Sequence, residues 1–226
     1  MIVLTLDQRG SRHGADRVPE LLDLVAKHPT VRAFQRTAGD EVQAVFDDAR
    51  AATGAALDAA GTGQWNVGVG VGPVRLPLPA ETRAGAGPAF EAARDAVERS
   101  KRTQARIALT AAPRLVQASG EPGEPAPEPR LGERAARLEA ELALIALSLR
   151  RRSEEQWQAC RLRERGWGQA RIAAELGVSQ QAVSARLGAA WFEECQALTT
   201  AAEGALARLS GLEAPGLDQQ TPGSHA

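Results

Sequence analysis

Lysine is almost absent from this sequence. Of 27 basic residues only Lys27 and Lys101 are lysines, and the rest are arginines. With the abundant alanine this reflects coding bias and points to no activity. Net charge is scarce too: 28 acidic residues leave the chain at −1, so no overall basic field advertises nucleic acid. Any such role must rest on local patches. The two cysteines, Cys160 and Cys195, lack close partners, which argues for reduced, buried thiols rather than a disulfide framework. His13, His28 and His225 are scattered, and neither cysteine has a ligand-spaced neighbour, so a zinc site is not expected. No apolar run approaches the ~18–20 residues that span a bilayer. Asp7 and Arg9 come too early for a signal peptide. A cytoplasmic protein without membrane partners is expected. What the chain does have is 43% hydrophobic residues, enough for a packed core.

One composition break divides it. Residues 118–129 read ASGEPGEPAPEP, where proline, glycine and glutamate deny both helix and core, so a linker is expected. Residues 211–226 are similar and are expected to form a disordered tail. An N-terminal domain over 1–117 and a C-terminal domain over 130–210 follow. In the first, strands are expected at 2–6, 31–37, 42–46, 65–72 and 107–110, with a tight hairpin at 38–41. Helices are expected at 19–26, 47–60 and 88–102. Val67, Val69 and Val71 alternate with glycines, which predicts a strand that another backbone or a ligand approaches closely. The order βαββαβ, with one more αβ crossover, predicts an α/β domain of ferredoxin-like or cyclase-like form, its mixed sheet covered by helices on one face.

The second domain reads as all helix. Leu138, Leu142, Ile145 and Leu149 recur at helical spacing. Ser153 and Gln156 form a capping-box pair for the next helix, which Gly166 ends. Then comes QARIAAELGVSQQAVSARLG. Ala173 is small where two helices would cross, Gly177 stands at a turn needing positive φ, and Ser179 caps the following helix. Ile172, Leu176, Val178, Val183 and Leu187 supply a shared core. This spacing predicts a DNA-binding helix-turn-helix, and it resembles those of bacterial regulators and sigma-factor-like domains. Ser179, Gln180, Gln181, Ser184 and Ala185 would meet double-stranded DNA, with Arg171 and Arg186 flanking them and Arg161, Arg163 and Arg165 preceding them. A plain helical hairpin or a protein-binding module is the alternative. The last helix is expected to run through Trp191 and Phe192 to about Leu209, as a dimer seam or packed back on Leu142 and Ile145. Trp157, Trp167 and Trp191 are expected in the core.

In the N-terminal domain Asp7 follows the first strand and Asp40 lies in the hairpin GDEVQAVF. Two carboxylates there could share Mg²⁺, with Gly10 and Ser11 amides near a helix start cradling phosphate. These features, followed by NVGVGVGPV and GPAFEAARDAVERSK, resemble the SatD family and, more distantly, class III nucleotidyl cyclases. The resemblance covers about residues 1–110. It implies that Asp7 and Asp40 are metal ligands, that Arg36 stands at the base-recognising position, and that Arg94 matches a transition-state arginine. Phe90 occupies the position of that family's transition-state asparagine, which argues against catalysis.

The combined expectation is a homodimeric transcriptional regulator. Its cyclase-like domain would be a non-catalytic sensory or dimerisation module, with Mg²⁺ and a nucleotide as the ligand to test. A metal-dependent nucleotidyl cyclase and a protein-interaction scaffold are the alternatives. In the scaffold reading Asp7 caps a helix and Asp40 makes a turn.

Overall fold

The computed structural model describes residues 1–11, 14–113 and 128–212. It is a mixed α/β protein. Five strands, β1 (Ile2–Gln8), β2 (Arg32–Ala38), β3 (Glu41–Phe46), β4 (Trp65–Val71) and β5 (Ile107–Ala111), form one sheet in the order β2-β3-β1-β4-β5. β1 pairs antiparallel with both β3 and β4, while β5 runs parallel to β4. Helices α1 (Val18–Val25), α2 (Ala49–Gly61) and α3 (Pro88–Ser100) connect them. Every strand and helix expected up to residue 110 is present, with ends differing by a few residues.

The helices cover both faces of the sheet, not one. The reason is written in β4. Its Val67, Val69 and Val71 join the core under α1 and α2. Gly68 and Gly70, on the alternate face, give α3 its seat. A Cβ on Gly70 would lie 2.2 Å from the Ala89 carbonyl oxygen and 2.3 Å from the Ala93 nitrogen. A Cβ on Gly68 would lie 2.3 Å from the Ala93 oxygen. The close approach expected from the glycines is thus the backbone of α3. Val3, Val45, Ala89, Phe90 and Ala93 make a small second core on that side.

Five more helices follow: α4 (Glu128–Arg151), α5 (Glu154–Glu164), α6 (Gln169–Leu176), α7 (Gln180–Ala189) and α8 (Phe192–Ser210). They do not form a separate unit beginning at 130. Leu138, Leu142 and Ile145 of α4, with Ala202, Leu206 and Ala207 of α8, belong to the same buried cluster as the sheet and α2. The open edge of β5 explains why. An edge strand presents unpaired backbone groups. Here the Leu109 amide donates to Glu139 Oε2 of α4 at 2.7 Å, and Arg99 Nη2 donates to the Leu109 carbonyl and to Glu139, each at 2.7 Å. Only α5, α6, α7 and the start of α8 keep a core of their own, around Cys160, Ile172, Val183, Leu187 and Phe192.

Of the expected linker, residues 118–127 lie outside the described residues, and Glu128 and Pro129 open α4. Proline suits a first helical turn because it has no N–H to leave unpaired. Of the expected tail, 213–226 lie outside the described residues, and Gly211 ends α8 in the left-handed conformation. The long last helix is interrupted. Trp191 adopts φ 49°, so α7 and α8 are separate, and the indole is 61% exposed rather than in the core. Trp157 and Trp167 are half-buried. The buried stripe of α8 packs back among Leu142 and Ile145. Among the described residues no helix is long and apolar enough to cross a membrane.

Candidate functional site

α5 begins on a true capping box. The Ser153 hydroxyl accepts from the Gln156 amide, and the Gln156 side chain accepts from the Ser153 amide at 3.0 Å. α6 ends on Gly177, whose φ of 64° turns the chain sharply. The Val178 amide donates to the Ala173 carbonyl at 3.0 Å across that turn. The Ser179 hydroxyl then accepts the Ala182 amide at 3.1 Å and starts α7. Ile172, Ala173, Val183 and Leu187 are buried where α6 and α7 meet, with Leu176 and Val178 packed beside them. Burial pushes the Cys160 thiol above its ordinary pKa, as suits an inert core residue.

What remains outside is a stripe along α7. Gln180, Gln181, Ser184 and Ala185 are all exposed, and Gly188 continues the row. α7 carries no acidic residue. Arg186 is half-buried at the rim. Arg171, exposed on α6, stacks on Trp167, its guanidinium carbon 3.7 Å from the ring centroid. Ser179 is committed to its cap. Arg161 pairs with Glu154 at 2.8 Å and Arg163 with Glu193 at 3.4 Å, both at the surface, where such pairs exchange readily for a better anion. Arg165 is exposed.

Replacing Gly177 by valine tests the turn. No neighbour lies within 4 Å of the added Cβ, so the cost is conformational, about 1–3 kcal/mol for a β-branched residue at positive φ. Amides of α6 and α7 should lose hydrogen-exchange protection while those of β1 and β4 keep it. Unchanged protection in α6 and α7 would place the sharp turn elsewhere.

The second expected site is not assembled. Side chains alternate along β1, so Asp7 and Gln8 leave on opposite faces. Asp7 faces α3. Asn66 Nδ2 donates to its Oδ2 at 3.0 Å, and the Lys101 ammonium lies 3.4 Å from its Oδ1. Burial opposes charge on Lys101, but Glu98 and Asp7 outweigh it and raise its pKa. Asp40 instead lines a cleft of about 320 Å³ with Gln8, Ser11, Gly14, Asp16, Arg36 and Gly39. Asp7 therefore has its own internal cation, and Asp40 belongs to a different set of neighbours. Among the described residues no group of three or more acidic, histidine or cysteine side chains could hold a metal ion.

Gly10 and Ser11 also differ from expectation. α1 starts at Val18, and the amides at its entrance are occupied: Arg17 donates to Gln8 Oε1 at 2.9 Å and Val18 to Asp16 Oδ1 at 3.0 Å. Arg36 donates to Asp16 at 2.6 Å and to the Gly39 carbonyl at 2.7 Å, so its fork is filled from within. The Val18 amide and then Arg36 hold the Asp16 carboxyl below its ordinary pKa. Arg94 is exposed on α3, across the sheet from this cleft. Phe90 is a core residue, its ring filling the space where a Cβ on Gly85 would come within 2.1 Å. Sequence reasoning missed Asp16 and Gln8. An aspartate two residues before the helix start was the available signal for the first; nothing local marks the second.

Comparison with protein-family models, with curated proteins and with solved structures returns no match.

Proposed function

We propose that this chain is a DNA-binding transcriptional regulator. α6, the Gly177 turn and α7 act as a helix-turn-helix, and α7 enters the major groove of double-stranded DNA. The observation that carries this reading is the exposed, acid-free stripe Gln180, Gln181, Ser184 and Ala185, on a helix anchored by a left-handed glycine and a serine cap. Glutamine pairs bidentately with adenine N6 and N7, and the flanking Arg171 and Arg186 supply phosphate contacts. The β1-α1-β2-β3-α2-β4 unit is read as a ferredoxin-like module with a sensory or dimerising role, extended by α3 and β5. Two-fold operators call for a homodimer. With the α8 stripe buried, that pairing would use another surface. The cytoplasm is the compartment that suits this role. A nucleotidyl cyclase is not favoured, because Asp7 is engaged by Asn66 and Lys101 beside α3 while Asp40 lines a separate cleft.

The test is to sequence the DNA fragments that the purified chain retains at moderate salt. Gln181→Ala should then weaken binding to a selected site by about 1–3 kcal/mol, with an unchanged melting temperature. Retention of no fragment above background would end the reading. Equal affinity of the variant and the parent would remove Gln181 from the base-reading face.

A further inference from the structure

The seam between α4 and α8 opens, away from the α5–α7 helices, into a cleft of about 350 Å³. Its floor is apolar: Leu138, Ala201, Ala205 and Leu209. Its rim is cationic: Arg134 and Arg137 from α4 and Arg208 from α8, against the single carboxylate of Glu141. That carboxylate is engaged by Arg137 at 3.2 Å, and among the described residues neither Arg134 nor Arg208 has an acidic partner. Three guanidinium groups at one mouth repel one another, a cost the chain carries although its net charge is −1.

The apolar floor has a continuation. Arg137 and Glu141 line the cleft, and the helical repeat places Leu144 on the same side of α4, one further turn along. Leu144 is 63% exposed, one of only three large apolar side chains so exposed among the described residues. The seam is thus polarised along its length, with cations at one end and uncovered leucine at the other. Small residues at 201 and 205 keep it open. Its volume is near the lower end of the roughly 300–1,000 Å³ range of small-molecule pockets.

We propose that this cleft binds a small amphiphilic anion, a carboxylate or phosphate head held by Arg134, Arg137 and Arg208 with a short hydrocarbon chain lying along the seam toward Leu144. Planar guanidinium groups suit such heads because they donate two parallel hydrogen bonds to paired oxygens. Neither half of the ligand alone matches the site. A bare anion leaves Leu144 wet, and an uncharged chain leaves Arg134 and Arg208 without an anion.

Calorimetric titration of the full chain with octanoate, octyl phosphate, inorganic phosphate and octanol tests this. Octanoate or octyl phosphate should saturate one site, with inorganic phosphate and octanol each at least about tenfold weaker. Arg134→Gln with Arg208→Gln should weaken the octyl anions about tenfold or more without lowering the melting temperature, since both side chains are exposed. Ala205→Phe should block binding while leaving every charge in place. Octanol binding as tightly as octanoate would reduce the site to a greasy groove. Inorganic phosphate binding as tightly would reduce it to a charged surface. Light scattering that finds a dimer abolished by Leu144→Glu, with no octyl anion bound by the parent, would assign the groove to a second copy of the chain. Each of these three results overturns the proposal.

Discussion

A valine at position 70 should abolish the native sheet-helix packing. The Cβ alone would lie 2.2 Å from the Ala89 oxygen, 2.3 Å from the Ala93 nitrogen and 2.7 Å from the Ala93 Cα. All three are backbone atoms, so no rotamer change relieves the clash. α3 must move off β4, and it carries Phe90 and Ala93 out of their contacts with Val3 and Val45 as it goes. Overpacking in a core ordinarily costs about 1–3 kcal/mol, and a clash with rigid backbone falls at or beyond the top of that range. At 4 kcal/mol the melting temperature would fall by about 8–16 °C for a chain of this size. Gly132→Ala is the control. That glycine lies in α4 with open space around it, so alanine should stabilise by up to about 1 kcal/mol. A Gly70→Val protein melting with the parent would mean that α3 does not lie on β4.

The second large effect should come from Glu139→Ala. This carboxylate accepts the Leu109 amide and the Arg99 guanidinium, and so joins α4 to the sheet edge. Removing it leaves a buried amide unpaired, at about 1–3 kcal/mol, and a cation without its partner. The ion pair is partly exposed, with side-chain exposures of 50% and 24%, so its own share is discounted for solvent screening. A total loss of about 2–4 kcal/mol is expected, with Glu139→Gln intermediate because one acceptor oxygen survives. Hydrogen exchange gives the decisive measurement. The Leu109 amide should lose protection, and α2 and β4 should follow, because they share a core with α4. Loss confined to the residues after 128, with the sheet untouched, would restore two independent units.

Much of the molecule was legible in its residues. Alternating and helical periodicities placed the strands and helices up to residue 110, because burial of one face imposes those periods directly. The α6–α7 turn was legible for a related reason. Gly177, Ser179 and the apolar positions at 172, 176, 178, 183 and 187 each satisfy a local requirement within about twenty residues. The second candidate site was not legible. Asp7 lies in β1 and Asp40 in the turn before β3, and those strands pair as neighbours, but Asp7 faces α3 while Asp40 lines the cleft beside Gln8, and Lys101, 94 residues after Asp7 in the sequence, decides what sits beside the first. Arg36 is engaged by Asp16, which is also a pairing between distant residues.

Local residue patterns suffice for the order of elements, the left-handed glycine and serine cap between α6 and α7, and the outward glutamines of α7. Each of these depends on residues within a turn or two of one another. Long-range packing is what puts α3 on the second face of the sheet, brings α4 and α8 into the core of the sheet, and leaves Trp191 exposed between two helices. An apolar stripe such as Leu138, Leu142 and Ile145 states that a helix face must be buried, because water disfavours it, but the hydrophobic effect is non-directional and does not name the surface that buries it. That choice fell to directional contacts formed over long sequence separations: the Glu139 carboxylate on the Leu109 amide, and the bare glycines of β4 under the backbone of α3.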